Sequence, residues 1–201
     1  PLPKGASFAR GHTRKLPYGE RCVIPGDNPA HAMASAAGFV ATAADTARFF
    51  AQLAPNAKKS VLSVASRREM TRHHWRIPQS FEAYYGLGIG AGKLAGWDWV
   101  GHGGHFQGYI SRTCAIPACE LTISILSNSI DGAAPFWMDG AMQILSVFKT
   151  RGAADRRLRD WSGRWWTIWG ANDLVPAGNR VFVANPQFIN QFMEAAEIEV
   201  T

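Results

Sequence analysis

The segment from Trp97 to Asn128 constrains the fold more strongly than any other part of the chain. Its centre is the glycine-rich sequence Gly101-His102-Gly103-Gly104-His105. Three short runs of apolar, β-branched or aromatic residues surround this centre: Trp97–Val100, Gln107–Ile116 and Leu121–Leu126. Runs of this length and composition predict strands, and the break at Pro117-Ala118-Cys119-Glu120 predicts the turn of a hairpin. The chain is therefore expected to contain a β-sheet that carries bare glycine backbone.

The glycine-rich centre has a chemical interpretation as well as a geometric one. Because glycine has no Cβ, its backbone can lie against a ligand, and its N–H groups can point into a cleft. A neighbouring histidine supplies a donor, an acceptor or a charge near neutral pH. Acyl-transfer enzymes use such groups to stabilise a developing oxyanion. His102 and His105 are therefore candidate catalytic residues, and with Gly103 and Gly104 they are candidate substrate-binding residues.

Two other interpretations of this centre stay open. One is an ordinary glycine-rich turn between strands, with two exposed histidines. The other is a metal site in which His102 and His105 act together with histidines from elsewhere in the chain. The sequence has no HExxH motif, no Cys/His cluster and no acidic partner at a familiar metal spacing. We therefore expect neither a metal nor another cofactor.

The amino-acid composition and the charge distribution indicate the class of protein and the partners that it is expected to lack. The chain has 201 residues, of which 47% are hydrophobic and 18% charged, as in globular rather than disordered or fibrous proteins. The formal net charge of +6 would suit nucleic acid. The basic residues are dispersed, however, and the densest group, over 151–159, is interrupted by Asp155, so we expect no nucleic-acid partner. No run approaches the roughly 20 apolar residues that span a bilayer, so no membrane span is predicted.

The cysteines and the first residues say little about the compartment. Three cysteines are too few for a disulfide framework, and the sequence does not decide whether Cys114 and Cys119 pair across the hairpin. The chain begins with Pro-Leu-Pro and has neither an initiator methionine nor the pattern of a signal peptide. It is therefore expected to be an internal piece of a longer protein.

Three helices are predicted from caps and apolar periodicity. Thr42 is the expected N-cap of a helix over about 43–54, and Ser63 is that of a helix over 64–73. A third helix is expected over about 135–149. The second helix should hold Arg67, Arg68 and Arg72 on its solvent side and end at His73 and His74. The apolar face of the third should consist of Phe136, Met138, Met142, Leu145 and Phe148.

A change of composition predicts two domains, residues 1–152 and residues 153–201. In the first, Tyr84–Gly90 is predicted to be a single strand. Beyond the boundary, short runs over 163–169, 173–176, 180–184 and 196–201 predict the beginning of a small all-β domain. Its core is expected to be the cluster Trp161, Trp165, Trp166 and Trp169.

Five segments, taken in order, resemble the serine β-lactamase family, which includes class C β-lactamases, penicillin-binding-protein-like peptidases and related esterases. Residues 36–50 resemble its AGGLVSTAxDxARF segment, residues 62–70 its LLS…M segment, and Tyr85-Gly86-Leu87-Gly88 its YGLGW strand. Residues 101–109 resemble GHxGxxxGF, and Leu121–Asn128 is similar to the VVVLTN strand. Residues 163–176 also resemble the lipocalin-like barrel that some members carry. The resemblance covers about residues 6–201.

This resemblance implies an α+β fold, the β-lactamase-like sandwich of a five-stranded antiparallel sheet flanked by helices. This chain would supply three of the strands. By the same resemblance, His102 would bind the carbonyl or carboxylate region of the substrate and tune the catalytic proton network. Gly103 and Gly104 would keep the cleft wall clear, and His105 would complete the oxyanion hole with its backbone N–H.

The implied activity is that of a serine hydrolase that forms an acyl-enzyme from an ester, β-lactam or peptide substrate. In the family, a Ser-x-x-Lys element carries the nucleophile and precedes the region matched here. We expect this chain to lack that element, to be the carboxyl-side portion of the catalytic domain, and to be inactive without the nucleophile-bearing remainder. Tyr109-Ile110-Ser111 matches the family's Tyr-x-Ser letters, but it lies within a predicted strand and takes no such role.

Two alternatives to a serine hydrolase remain. One is a catalytically silent relative that acts as a binding or regulatory protein. The other is a metal-dependent hydrolase that uses His102 and His105. The family resemblance favours a periplasmic or secreted location, and it does not select among esterase, β-lactamase and peptidase.

Overall fold

The computed structural model describes residue 5 and residues 7–25, 30–78 and 82–200. The chain divides into two compact units: Pro1–Lys93 with Asp98–Met138, and Leu94–Trp97 with Asp139–Thr201. The helices are α1 (Ala43–Leu53), α2 (Val64–Met70) and α3 (Ala134–Arg151). The strands are β1 (Trp75–Arg76), β2 (Ala83–Tyr85), β3 (Gly90–Leu94), β4 (Trp97–Phe106), β5 (Tyr109–Ile116), β6 (Leu121–Ser127), β7 (Gly163–Thr167), β8 (Gly170–Ala177), β9 (Arg180–Ala184) and β10 (Ala196–Glu199). The predicted α+β class is confirmed, and none of the described helices is long and apolar enough to cross a membrane.

The first unit contains a six-stranded sheet whose strand order follows the chain from β1 to β6. The expectation of three strands from this chain is therefore wrong. The single strand predicted over Tyr84–Gly90 is also wrong, because the chain reverses between β2 and β3. The N–H of Gly86 donates to the carbonyl oxygen of Ile89 at 2.7 Å, and Gly88 adopts a φ of 71°. Only glycine enters this conformation without steric cost, so the glycines mark a turn rather than a bare strand face.

β4 contains the whole glycine-rich centre. Residues 100–106 pair with residues 109–115 of β5 without interruption. The turn lies at Gln107 and Gly108, where φ is 39° and 92°. Two successive positive φ values are typical of the type I′ turn, whose twist matches that of a hairpin. The interpretation of Gly101–His105 as a turn is therefore wrong, whereas the predicted turn before β6 is confirmed by a 3-10 turn over Pro117–Cys119.

The N-caps of α1 and α2 are those predicted from the sequence. The hydroxyl oxygen of Thr42 accepts from the N–H of Asp45 at 3.1 Å, and that of Ser63 accepts from the N–H of Ser66 at 3.0 Å. α2 ends at Met70, three residues earlier than predicted. His74 still contacts the end of this helix, since its Nε2 lies 3.1 Å from the carbonyl oxygen of Glu69.

Arg67 is buried, so its predicted place on the solvent side of α2 is wrong. Only 4% of the residue is exposed. Its guanidinium donates to the carbonyl oxygens of Ala54, Leu62 and Ala57 at 3.0, 2.6 and 3.0 Å. A helix end leaves backbone carbonyls without helical partners, and Ala54 is the C-cap of α1. One arginine side chain therefore satisfies carbonyls at and after that end.

The core of the first unit lies where α1 packs against β5 and β6. Its members are apolar residues of the helix end and of four strand or turn segments: Leu53, Ala54, Ile89, Ala91, Val100 and Ala115. Phe50, Ala57, Leu62 and Met70 pack around them. Val100 and Ala115 are directly paired across β4 and β5. The residues before the glycine-rich centre thus anchor β4 in the core.

The segment over residues 7–25 is attached to the end of β6. The N–H of His12 donates to the carbonyl oxygen of Asn128 at 2.9 Å. Arg21 forms a 3.0 Å ion pair with Asp131. A hydrogen bond from Ser129, and then those from Arg21, hold the pKa of Asp131 well below its usual range. Residues distant in sequence therefore close this end of the first unit.

α3 buries a narrower stripe than its sequence predicts. Ala134, Met138 and Met142, each four residues apart, are at most 1% exposed. Phe136, Leu145 and Phe148, which the sequence assigned to the same apolar face, are 38–48% exposed. Burial therefore follows one i,i+4 row of the helix rather than its whole apolar content.

The second unit contains a four-stranded sheet in the order β10-β9-β8-β7. A strand lies at each of the four predicted segments, although β7 ends two residues earlier, β8 begins three residues earlier, and Thr201 of the last segment lies outside the described residues. The expected tryptophan core is wrong. Trp161, Trp165, Trp166 and Trp169 are 39%, 52%, 77% and 89% exposed. β7 is an edge strand that is exposed along its whole length, and the buried apolar residues of this unit include Leu158, Ala177, Val181 and Ala184 instead. The domain boundary at 152/153 and the barrel stay predictions.

Candidate functional site

Among the described residues, one edge of the glycine-rich centre of β4 has no strand neighbour beyond Gly101. β5 lies along one side of it, and β3 lies along the other. β3 begins at Gly90, where an added Cβ would lie 3.3 Å from the carbonyl oxygen of Gly101. Within the described ranges, residues 102–106 of β4 therefore have a strand neighbour on the β5 side alone.

Backbone N–H groups point toward this edge. A two-residue turn is closed by a pair that shares hydrogen bonds, here Phe106 and Tyr109. In an antiparallel pair of strands, hydrogen-bonded and non-hydrogen-bonded residue pairs alternate. His102 and Gly104 therefore also direct their N–H groups toward β5, whereas Gly103 and His105 direct theirs away from it. Gly103 is half-buried and His105 is exposed. The edge therefore offers two backbone donors on alternate residues.

The imidazole of His102 is held at both nitrogens. Its Nδ1 donates to the carbonyl oxygen of Gly103, and its Nε2 lies 2.8 Å from the hydroxyl oxygen of Tyr85. The two rings meet edge to face, with centroids 5.7 Å apart and planes at 73°. His102 is half-buried, so its orientation is set by these contacts rather than by solvent.

The three glycines of β4 differ in how much space the neighbouring strand leaves for a side chain. A Cβ on Gly101 would lie 1.9 Å from the carbonyl oxygen of Thr113, and one on Gly104 would lie 2.6 Å from the hydroxyl oxygen of Ser111. A Cβ on Gly103 would meet nothing closer than 3.4 Å. Gly101 therefore allows the close approach of β4 to β5, whereas Gly103 leaves space at the edge.

His102 and His105 leave β4 on opposite faces. They are three residues apart in an unbroken register, and side chains alternate along a strand. Such a pair does not converge on one metal ion. In the part of the chain that the structure describes, no group of three His, Cys, Asp or Glu side chains is arranged to hold a metal. The geometry thus gives the metal-dependent alternative no support.

Tyr85 is a site residue that the sequence interpretation missed. It is the last residue of β2 and pairs with Gly90, the first residue of β3. Its ring reaches His102 where β3 begins, which residue spacing alone does not predict. The available signal was the pair Tyr84-Tyr85 directly before the glycine-rich segment at Gly86–Gly90.

The letters Ser-x-x-Lys do occur in this chain, so the expectation that they are absent is wrong. They fall at Ser146-Val147-Phe148-Lys149, within α3. The hydroxyl of Ser146 donates to the carbonyl oxygen of Ala95 at 2.8 Å. Lys149 is exposed in the last turn of the helix. These contacts are those of a helix residue bonded to a turn, and they do not show a hydroxyl activated by its lysine.

A family model supplies the deciding comparison. The Beta-lactamase model matches residues 1–149, which is most of the chain. The chain belongs to the Beta-lactamase family. Its family is therefore of the serine hydrolase type, as the sequence motifs implied. No curated protein is significantly similar to the chain.

Solved structures agree with this Beta-lactamase family fold. The octameric penicillin-binding protein homologue from Pyrococcus abyssi matches 97% of the chain with 18% identity and a TM-score of 0.58. The D-stereospecific amidohydrolase from Streptomyces sp. matches 63% with 22% identity and a TM-score of 0.52. The structure described as SurE matches 100% with 17% identity and a TM-score of 0.53. At these identities the similarity concerns the fold alone, and the chain spans only 44%, 36% and 46% of these proteins.

Proposed function

We propose that this chain is the carboxyl-side part of a serine hydrolase that acts through an acyl-enzyme on an ester, β-lactam or peptide bond. The observation that carries the proposal is the edge of β4 that has no strand neighbour among the described residues; the exposed His105, whose N–H faces this edge, and the half-buried His102 both lie on this stretch. Preorganised backbone donors at an accessible edge are what a tetrahedral oxyanion requires. The nucleophile and its lysine would come from the remainder of the catalytic domain.

In this proposal the reaction has two acyl-transfer steps. The serine hydroxyl attacks the substrate carbonyl, and the resulting oxyanion accepts a hydrogen bond from the N–H of His105. The tetrahedral intermediate collapses to an acyl-enzyme as the leaving group departs with a proton. Water then attacks the ester carbonyl, and a second oxyanion forms at the same donor. Its collapse breaks the bond between the acyl group and the serine oxygen, which takes up a proton as the carboxylic acid is released. Gly103 and Gly104 keep the edge open, and His102 orients the substrate carbonyl region.

The dependence on a separate nucleophile is tested by mass and by labelling. We expect the 201-residue chain alone to hydrolyse neither a chromogenic ester nor a chromogenic cephalosporin, and to take no adduct from a serine-directed phosphonate. Intact-mass spectrometry under denaturing conditions shows whether a longer chain or a second polypeptide carries the labelled serine. Turnover or labelling of the chain alone contradicts the proposal, and loss of that signal in Ser146→Ala would identify Ser146 as the nucleophile.

The role of the His105 amide is tested by two substitutions in the complete enzyme. His105→Ala keeps the N–H and removes the imidazole, whereas His105→Pro removes the N–H. Proline is tolerated where the N–H faces away from a neighbouring strand. We expect His105→Pro to lower kcat by about 10²–10³-fold, the usual loss for one oxyanion donor, and His105→Ala to cost much less. Equal losses would assign the role to the imidazole instead.

If the complete wild-type protein shows no turnover and takes no phosphonate adduct, the chain belongs to a catalytically silent relative. A binding or regulatory role would then replace the enzymatic one. Assaying the complete wild-type protein for turnover and for a phosphonate adduct therefore distinguishes an active serine hydrolase from a silent relative.

A further inference from the structure

We propose that Tyr85 is a further positioning residue of this site, whose hydroxyl donates to Nε2 of His102 and fixes the neutral imidazole in its Nδ1–H tautomer. This inference rests on the proposed function for its catalytic meaning, but the tautomer itself is a property of the chain alone. Neither the glycine-rich motif nor the family match assigns a role to Tyr85.

The tautomer follows from the chemistry of the partners. The carbonyl oxygen of Gly103 only accepts hydrogen bonds, so Nδ1 of His102 must carry the proton of that contact. In the neutral ring, Nε2 is then an acceptor. The hydroxyl of Tyr85, 2.8 Å away, is the donor it meets. Both nitrogens of His102 are thus committed, one to the backbone and one to Tyr85.

The position of Tyr85 is set by the sheet rather than by core packing. It pairs with Trp75 of β1 on one side and with Gly90 of β3 on the other. The residue is 37% exposed and Trp75 is 58% exposed, so neither is a buried core residue. A tyrosine held by strand pairing, with its hydroxyl on a half-buried imidazole, fits a role in orienting His102 for a substrate at the edge.

The adjacent residue provides a matched control. Tyr84 has the same chemistry, but its ring stacks on His73, with centroids 4.0 Å apart and planes at 3°. Tyr84→Phe removes a hydroxyl one residue away and leaves the contact to His102 intact. Tyr85→Phe removes the contact and keeps the ring.

The test is long-range 1H–15N NMR of the histidine side chains in the 201-residue chain, above the pH at which imidazoles are protonated. We expect wild-type His102 to show a protonated Nδ1 and an unprotonated Nε2. Tyr85→Phe should shift His102 toward the Nε2–H form or a mixture, whereas Tyr84→Phe should leave it unchanged. A wild-type Nε2–H tautomer, or a His102 signal unchanged in Tyr85→Phe, overturns the inference. The wild-type measurement needs no variant, so a misfolded variant does not prevent the test.

The catalytic meaning is tested separately in the complete enzyme. We expect Tyr85→Phe to lower kcat/KM by about tenfold, in the range of a positioning contact rather than a nucleophile, and to change its pH profile. Tyr84→Phe should keep both. Unchanged kinetics in Tyr85→Phe would mean that the contact between Tyr85 and His102 is structural and has no role in catalysis. If the complete wild-type protein has no hydrolase activity, the proposed function fails, while the NMR result still decides the Tyr85–His102 pair.

Discussion

The two sheets of this chain are stabilised in different ways. In the six-stranded sheet, small and aliphatic residues such as Ala91, Val100 and Ala115 are buried in one cluster with Leu53, the last residue of α1. In the four-stranded sheet, the largest aromatic residues stay on the surface, and β7 is exposed throughout. The cross-strand pair of Arg164 and Asp173 joins β7 to β8 instead, with contacts of 2.7 and 2.9 Å. Apolar content alone therefore does not locate a core, because burial depends on what packs against the strand.

The largest difference between the two sheets is expected when Ile89 and Trp166 are each replaced by alanine. Ile89 is 0% exposed, whereas Trp166 is 77% exposed. We expect Ile89→Ala to lower the free energy of unfolding by about 3 kcal/mol, because it leaves a cavity. Trp166→Ala should change it by less than about 0.5 kcal/mol although the side chain is larger. Urea unfolding followed by circular dichroism measures both, and an equal cost for Trp166→Ala would contradict the surface position of the tryptophan.

Close packing in the six-stranded sheet extends to its backbone. Gly101→Ala would place a Cβ 1.9 Å from the carbonyl oxygen of Thr113, so we expect a loss of about 2–3 kcal/mol in unfolding free energy. Gly103→Ala, two residues along the same strand, has its nearest contact at 3.4 Å and should cost clearly less. The same unfolding measurement compares them. Similar losses would mean that strand propensity, and not the approach of β4 to β5, decides the cost.

Arg67 tests whether a buried polar contact belongs to the core of the first unit. We expect Arg67→Ala to lower the free energy of unfolding by about 2 kcal/mol, because it leaves the carbonyl oxygens of Ala54, Ala57 and Leu62 without their donor. Arg68→Ala, at the next and exposed position of α2, is the control and should have little effect. Chemical unfolding of the two variants decides the point, and equal effects would rule out the buried hydrogen bonds as the cause.

The smallest effect is expected at the exposed ion pair of the second unit. The hydrogen bonds of Arg164 lower the pKa of Asp173. The ionised Asp173 therefore contributes to the free energy of unfolding above the usual aspartate pKa of about 4. This contribution is lost as the pH falls through the lower pKa of the folded state. Solvent screens the pair, so Asp173→Asn should cost less than about 1 kcal/mol near neutral pH. Unfolding measured down the acid range should show a smaller pH dependence in the variant. An unchanged pH dependence would assign the acid sensitivity to other carboxyl groups.

Local features of the sequence were predicted well, and features that depend on distant partners were not. Thr42 and Ser63 cap their helices because the capping hydrogen bond spans only three residues. The strands around the glycine-rich centre and the four strands of the second sheet follow the same local logic. Tyr85 and Arg67 were missed or misplaced because their partners lie 17 and up to 13 residues away in the chain.

The order of motifs by itself determined the family and the α+β class, and the strands around Gly101–His105 were predicted because composition, turn residues and spacing are local properties of the chain. Tertiary structure alone decided that this centre lies in a paired strand with one open edge, and that His102 and His105 face opposite ways. It also decided that Tyr85 holds His102 and that the tryptophans of the second sheet stay exposed. These outcomes depend on strand register and on which surfaces pack together, and neither can be inferred from a single short segment of the sequence.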